Sequence, residues 1–565
     1  MPTGANICEK RNLVKLLGFA GTIIFLLFLL DSRYRVLPDS VHAHLPHHHP
    51  GSVLTDITLQ KCSSANPFST CRLDPAKWRR IEKDLYLGKG WLQSAWVHVQ
   101  RKAEEDLTEE DKVVVGISVG RSSPSLEDGN RDWEQRPGGM WVLRSQRKGE
   151  SDSHRAVTAV DILFGSDAVD PRPGYQLSQT PFDLASEPIA RLSIRHDQAK
   201  VEKPVKPRIG NNGRFKILQL SDMHLSTGTG ACRHAMGVNN EPSKHCEADP
   251  RTLEFVESIL DDEKPDLVVL SGDQIEGPAA PDTESAILKF AAPLIERQIP
   301  YAVIFGNHDD EGDRSMSRAG QMAVIETLPY SLSQAGPQYI DGIGNYYVEV
   351  LAPSPSEHSA LTLYLLDSHG LTPDEKNYKG YDWLKQSQIE WFRSTSETLK
   401  KAKMHTKYTH IHMDMAFIHI PLPEYAERGS NYESGGEFRE PVTAPAFNSH
   451  FYDALAQQGV VAVGCGHDHV NDYCALRKEP TMDDDTHHKT PHRGPWMCYA
   501  GGSGFGGYGE YNGKYQHRRV RLWEVDTNAG RITTWKRLEC CGAETRKKVD
   551  DIVIVEGGRV VAPVG

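Results

Sequence analysis

The C-terminal part of the sequence predicts an α/β fold on two observations. Short apolar runs of strand length alternate with longer amphipathic segments, and the runs end in Asp, Asn, His, Ser or Gly. The runs are FKILQLSD (215–222), DLVVLSGD (266–273), YAVIFGNHD (301–309), LTLYLLDS (361–368), MAFIHIP (415–421) and VVAVGCGHDH (460–469). Segments such as Leu253–Leu260 and Gln388–Leu399 suit the intervening helices. A rigid strand that opens into a polar loop is a good place to hold reactive groups.

At 565 residues the chain is too long for one ordinary core, so two or more folded units are expected. With 38% apolar and 25% charged residues it reads as globular. A formal charge of −12 argues against a general nucleic-acid binder, which presents a basic face.

The N-terminus carries an uncharged run of fifteen residues, Leu16 to Leu30, preceded by Lys10, Arg11 and Lys15. As a helix it spans about 22 Å, short of a hydrocarbon core of about 30 Å unless Leu13 and Val14 extend it while Lys15 snorkels. A cleaved signal peptide is the rival reading, but Asp31-Ser32-Arg33-Tyr34-Arg35 follows at once without a small-x-small site. Residues 1–35 are therefore expected to be a cytosolic stub and single-pass membrane anchor, placing the rest weakly on the lumenal side. The histidine-rich stretch inside 36–55 reads as a polar linker.

Residues 56–205 show short alternating stretches, among them Val113 to Val119 and Met140 to Leu143, expected as strands of a small β-rich domain without a catalytic constellation. The Lys/Pro segment at 201–213 precedes the α/β pattern, which runs from 206 to 540; residues 541–565 read as a tail. The ten cysteines form no CxxC pair. Cys62 with Cys71, and Cys232 with Cys246, are near enough in sequence to form disulfides or to remain thiols.

The polar residues at the run ends make one constellation: Asp222, His224, Asp273, Asn307, His308, His419, His467 and His469. A lone histidine such as His419 in an apolar run is more often a hydrogen-bonded core residue than a ligand. Together, however, the oxygen and imidazole donors suit Zn, Mn or Fe. Two cations about 3.5–4 Å apart can polarise a phosphate and ionise a bridging water.

DMH (222–224), GDQ (272–274), GNHD (306–309), FIHIP (417–421) and GHDH (466–469) resemble, in order, the five motifs of the calcineurin-like metallophosphoesterases. The spacings from 222 through 273, 307 and 419 to 467 are 51, 34, 112 and 48 residues. The layout, anchor included, is similar to that of the fungal dose-dependent cell-cycle regulator phosphatases. The resemblance implies a four-layer sandwich, two mixed β-sheets flanked by helices, holding two divalent or trivalent metal ions (Mn, Fe or Zn). It assigns Asp222, His224 and His469 to one ion, Asn307, His419 and His467 to the other, and Asp273 as the bridge. His308 would give a proton to the leaving oxygen, with Asp309 orienting and charging its imidazole, unless Asp309 is a solvated turn residue.

Departures narrow the class. GDQIEG (272–277) lacks the arginine that protein Ser/Thr phosphatases carry after their GD motif. Glu276 stands where purple acid phosphatases have tyrosine, and His224 is present, so a purple iron–tyrosinate centre is not expected. His369 reads as a cleft or turn residue. The glycine-rich stretch 501–509 reads as tight turns at the site rim rather than an anion cradle. The expected activity is hydrolysis of phosphate monoesters, phosphoproteins included, by a metal-bridging hydroxide. Alternatives are a phosphodiesterase acting on nucleotides or lipid head groups, and a tethered interaction protein with an inactive fold.

Overall fold

A computed structural model describes residues 51–562 except 64–70, 91, 104–105, 109, 125–131, 147–154, 197–204, 238–240, 244–245, 403–410, 428–431, 478–493 and 541–545. The apolar run at 16–30 lies outside the described residues, as does most of the 36–55 linker. Among the described residues no helix is long and apolar enough to cross a membrane.

The chain divides into two compact units, one of residues 1–162 and 174–200, the other of 163–173 and 201–565. The first holds small antiparallel sheets, as the alternating patterns require. In one, Gln93–Ala103 lies between Ser52–Ser63 and Arg79–Arg80; in another, Met140–Gln146 lies between Lys112–Val119 and Trp133–Arg136.

The second unit is built on two seven-stranded sheets. In the first sheet Tyr301–Ile304, Leu267–Ser271 and Arg214–Leu220 run parallel. Arg519–Asp526, Arg531–Leu538, Val549–Glu556 and Arg559–Val560 continue it antiparallel. The second sheet has a parallel centre of Ser359–Leu365, Met413–Phe417, Ala462–Cys465 and Trp496–Tyr499. Antiparallel neighbours border it on both sides. Both sheets are mixed, in agreement with the expected architecture. The expected runs at 266–273, 301–309 and 460–469 each contain one of these strands, and those at 215–222, 361–368 and 415–421 overlap strands that begin one or two residues earlier.

Period-two alternation explains the layering. Phe215, Ile217, Leu267, Val269 and Trp523 from one sheet share a buried core with Leu361, Leu363, Met413, Met415 and Phe417 from the other. Tyr364, Ala416, Val463 and Tyr499, on the opposite face of the second sheet, bury the apolar stripe of helix Gln386–Lys401 and of helix Phe451–Gln457. On the outside of the first sheet, Lys216 Nζ reaches Glu263 at the end of helix Ala248–Glu263 at 3.0 Å, and Arg537 pairs with the same carboxylate. The sheet runs on past residue 540, into the segment read as a tail. Val549–Glu556 pairs with Arg531–Leu538 through an irregular register and buries the adjacent Ile554 and Val555 against the inter-sheet core.

Candidate metal centre

Five parallel strands deliver the motif residues from their C-terminal ends. Arg214–Leu220 leads to Asp222 and His224, Leu267–Ser271 to Asp273, and Tyr301–Ile304 to Asn307 and His308. From the second sheet, Met413–Phe417 leads to His419, and Ala462–Cys465 to His467 and His469. The turn at each end is tight enough to force Asp222, His224, Asp273 and His467 to φ values of +55°, +49°, +53° and +78°. Left-handed backbone at four non-glycine residues costs on the order of 1–3 kcal/mol each and marks a functional site. Gly272 lets the turns approach one another: a Cβ there would lie 2.3 Å from the His419 ring.

The side chains converge as two groups, Asp222 with His224 and His469, and Asp273 with His419 and His467, all of them buried. Their tautomers are fixed by acceptors behind them. Nδ1 of His224 lies 2.6 Å from Glu276 Oε2, Nδ1 of His469 lies 2.9 Å from the Tyr508 carbonyl, and Nδ1 of His419 lies 3.0 Å from the Ser271 carbonyl. An ionised carboxylate and a carbonyl only accept, so each Nδ1 donates and each Nε2 is left to face inward, with a lone pair wherever the ring is neutral. Two such Nε2 atoms, of His224 and His469, face each other at 3.1 Å. Two lone pairs at that separation fit a shared cation, and imidazoles braced through Nδ1 are the usual metal ligands.

The second group passes the same test. Asn307 Oδ1 and His467 Nε2 are buried without a hydrogen-bond partner. Nε2 of His419 comes within 3.1 Å of Asp273 Oδ2 but lacks hydrogen-bond geometry. Orphaned buried acceptors cost about 1–3 kcal/mol each unless something else satisfies them, and a cation would. Burial, then the charge of His419, pushes His467 down to about 3, so its ring is neutral and able to coordinate. Burial opposes charge on His419 too, but Asp273 and Asp222 outweigh it and raise it to about 9. Without a cation, the site holds a proton there to offset two buried carboxylates.

His308 stands apart from both groups. It is partly exposed, its Nδ1 lies 2.5 Å from Glu311 Oε2, and its backbone N–H donates to Asp273 Oδ1 at 2.7 Å. Burial acts against its charge, yet Asp273, Glu276 and Glu311 together raise its pKa. That is the environment of a proton donor. The expectation for Asp309 needs correction. Its carboxylate is buried and accepts the backbone N–H groups of Gly306, Asp273 and Ile275 at 2.6, 2.9 and 2.9 Å. It ties two ligand loops together, while Glu311 takes the expected role beside the imidazole. Burial, then the charge of Asp273, lifts Asp309 to about 6.

Several residues support the site in roles that the sequence did not assign them. Glu276 braces His224 and is itself held by Arg233 Nη2 at 3.0 Å. Tyr508 stacks on His469 at 3.9 Å, and its hydroxyl accepts the His469 backbone N–H and donates to Glu440. The glycine-rich stretch lies against the ligand loops as expected. The N–H groups of Ser503 and Gly504 are taken by the carbonyls of Ser221 and Asp222, so neither serves an anion. His369 Nε2 hydrogen-bonds Gln388 at 2.8 Å, the turn reading rather than the cleft one. Glu276→Gln should leave the fold intact but loosen His224, weakening metal affinity by roughly 10–100-fold. Titration of the metal-free variant with Zn or Mn measures this. An unchanged affinity would remove Glu276 from the support of the site.

Residues 215–471 match the calcineurin-like phosphoesterase family. Phosphatase DCR2 of Saccharomyces cerevisiae is 40% identical over 401 residues, 68% of this chain; the alignment spans 64% of that protein's length. Probable inactive purple acid phosphatase 14 of Arabidopsis thaliana is 38% identical over 354 residues, 59% of this chain and 82% of its own length. A solved structure of a dimetal phosphatase from Danio rerio is similar at a TM-score of 0.38 and 13% identity, across 60% of this chain and 99% of that one. Paired donor sets at the strand ends of two mixed sheets define a metal-dependent phosphoesterase. This chain belongs to the calcineurin-like phosphoesterase family.

Proposed function

We propose that the protein is a metal-dependent phosphatase that hydrolyses phosphate monoesters, phosphoproteins among them. What supports this reading is two buried donor groups, with Asp273 Oδ2 3.1 Å from His419 Nε2 and 3.9 Å from His224 Nε2, one imidazole of each group, and the partly exposed His308 paired with Glu311 beside them. Bound cations of this kind polarise phosphoryl oxygens and lower the pKa of water. The chain's own residues do the rest. Asp222 and Asp273 supply the charge that retains cations, the braced histidines fix their positions, and His308, held by Glu311, offers a proton to the leaving oxygen.

The plant relative's name calls it probably inactive, so a phosphatase fold kept for interactions is the rival reading. Here all six residues of the two groups are buried, and Asn307 Oδ1, His419 Nε2 and His467 Nε2 have no hydrogen-bond partner, which supports an enzyme. The test is metal content of the purified protein, with rates on an aryl monoester and an aryl diester in the presence of Mn, Fe or Zn. Near-zero metal and no hydrolysis would favour the inactive fold. Faster diester cleavage would favour a phosphodiesterase of nucleotides or lipid head groups.

A membrane tether through residues 16–30, with the two units on the lumenal side, completes the proposal. The disulfides Cys62–Cys71, Cys232–Cys246 and Cys474–Cys498 support an oxidising compartment. The full chain should stay with membranes through carbonate extraction, and removal of residues 1–35 should release it. Carbonate release of the full chain would count against the tether.

A further inference from the structure

One rim of the metal centre is aromatic. The ring of Tyr381 stands edge-on to His467 with centroids 4.4 Å apart. Its loop is closed by the Leu371–Tyr381 bridge and by the Asp382 N–H donating to the Gly370 carbonyl at 2.9 Å. A Cβ on Gly370 would lie only 3.6 Å from that of Asn307, so this loop borders the second donor group. Trp383 lies two residues on, 4.7 Å from Tyr378 and 4.7 Å from Phe447. Phe447, in turn, belongs to a segment tied to the centre, because the Thr443 backbone and hydroxyl donate to Asp468, between His467 and His469.

Two features make this rim more than packing. Phe447 is 39% exposed although it meets two other rings, so the cluster presents apolar surface to solvent. The Tyr381 hydroxyl forms no hydrogen bond among the described residues. The contact of its ring with His467 keeps that hydroxyl beside the second donor group. A phosphoryl group over the metals would meet the hydroxyl, and the alcohol it leaves behind would lie against the rings.

We propose that Tyr381, Tyr378, Trp383 and Phe447 form the leaving-group subsite and select aryl phosphomonoesters, of which a phosphotyrosine side chain is the natural example. The inference rests on the phosphatase reading. Its chemistry is ordinary hydrolysis: the oxygen of water bonds to phosphorus, the bond from phosphorus to the aryl oxygen breaks, and His308 hands that oxygen a proton in place of the one water loses. The Tyr381 hydroxyl donates to a phosphoryl oxygen, and packing against Phe447 and Trp383, whose ring also carries Lys385 Nζ at 4.0 Å, favours a planar alcohol over an alkyl one.

The test uses the full-length, metal-loaded protein with phenyl phosphate, phosphotyrosine, methyl phosphate and adenosine 5′-monophosphate. Trp383→Ala should raise KM for phenyl phosphate and phosphotyrosine by roughly 3–10-fold and leave methyl phosphate unchanged, the size expected of one aromatic pair. Trp383→Phe should restore most of it. Tyr381→Phe keeps the ring on His467, so metal content should hold while kcat falls by about tenfold or more for every ester, as expected for a hydrogen bond to a charged group. Equal KM changes for phenyl and methyl phosphate, or an effect of Trp383→Ala on the nucleotide alone, would overturn the subsite. Wild-type protein that hydrolyses none of the four overturns the phosphatase reading itself, and the subsite with it.

Discussion

Asp273→Asn should strip both cations from the protein and abolish hydrolysis of every phosphoester. Asp273 is fully buried; Oδ2 lies 3.1 Å from His419 Nε2 and 3.9 Å from His224 Nε2, one imidazole from each donor group. Asp222 Oδ1 also approaches an imidazole of each group, His469 at 3.4 Å and His419 at 4.0 Å, but among the described residues Asp273 is the one that also holds the loop of His308, whose N–H donates to Oδ1. An asparagine can keep that last bond through its carbonyl oxygen, so the backbone should survive. Its amide would direct two protons toward His419 Nε2, in place of a negative oxygen that would attract a cation. Losing a formal charge from a bridging position weakens both sites together, by more than the roughly 10–100-fold typical of a supporting residue. Metal analysis after gel filtration measures the loss. Thermal unfolding separates it from misfolding, because added Zn or Mn should raise the wild-type midpoint by binding only the folded state and leave the variant's unchanged. Retention of one full equivalent of metal would show that Asp273 serves a single site.

The strands and the ligands were legible for the same reason. Apolar runs of buried parallel strands end abruptly, and the polar residue at the break is already at the edge of the sheet, so Asp222, Asp273, His419 and His467 could be picked out along the chain. What brackets them was not legible. Glu276, Glu311 and Tyr508 act through contacts with His224, His308 and His469 that are decided by loop conformation, and charged or aromatic loop residues are common everywhere. Asp309 shows the limit most clearly. Adjacency in sequence to His308 suggested contact, but the carboxylate turns inward to three backbone N–H groups, and Glu311 is the one beside the ring. Cys474 and Cys498 are 24 residues apart and gave no local signal; they meet because their strands pair at those positions. The last strands were missed, although Ile552 to Val555 carries a β-branched run, because the preceding charged segment read as a tail.

His308→Ala separates the acid from the metals. The side chain is partly exposed, belongs to neither donor group, and is paired with Glu311, so metal content should stay near that of the wild type. The rate loss should depend on the alcohol. An alkyl or seryl oxygen leaves as a strong base and needs a proton, so its hydrolysis should slow by roughly 10²–10⁴-fold. Nitrophenolate departs readily as an anion and should suffer less. The pH profile supplies an independent check. Asp273, Glu276 and Glu311 raise the His308 pKa against its burial, so the donor form persists below that raised value and the rate on alkyl esters falls as pH rises through it. Glu311→Gln removes one of those charges, lowers the pKa, and should move the alkaline limb to lower pH while the nitrophenyl ester responds weakly. If His308→Ala loses its metals the residue is a ligand. If it slows both esters equally, and the limb stays where it was in Glu311→Gln, then His308 stabilises phosphoryl charge rather than transferring a proton.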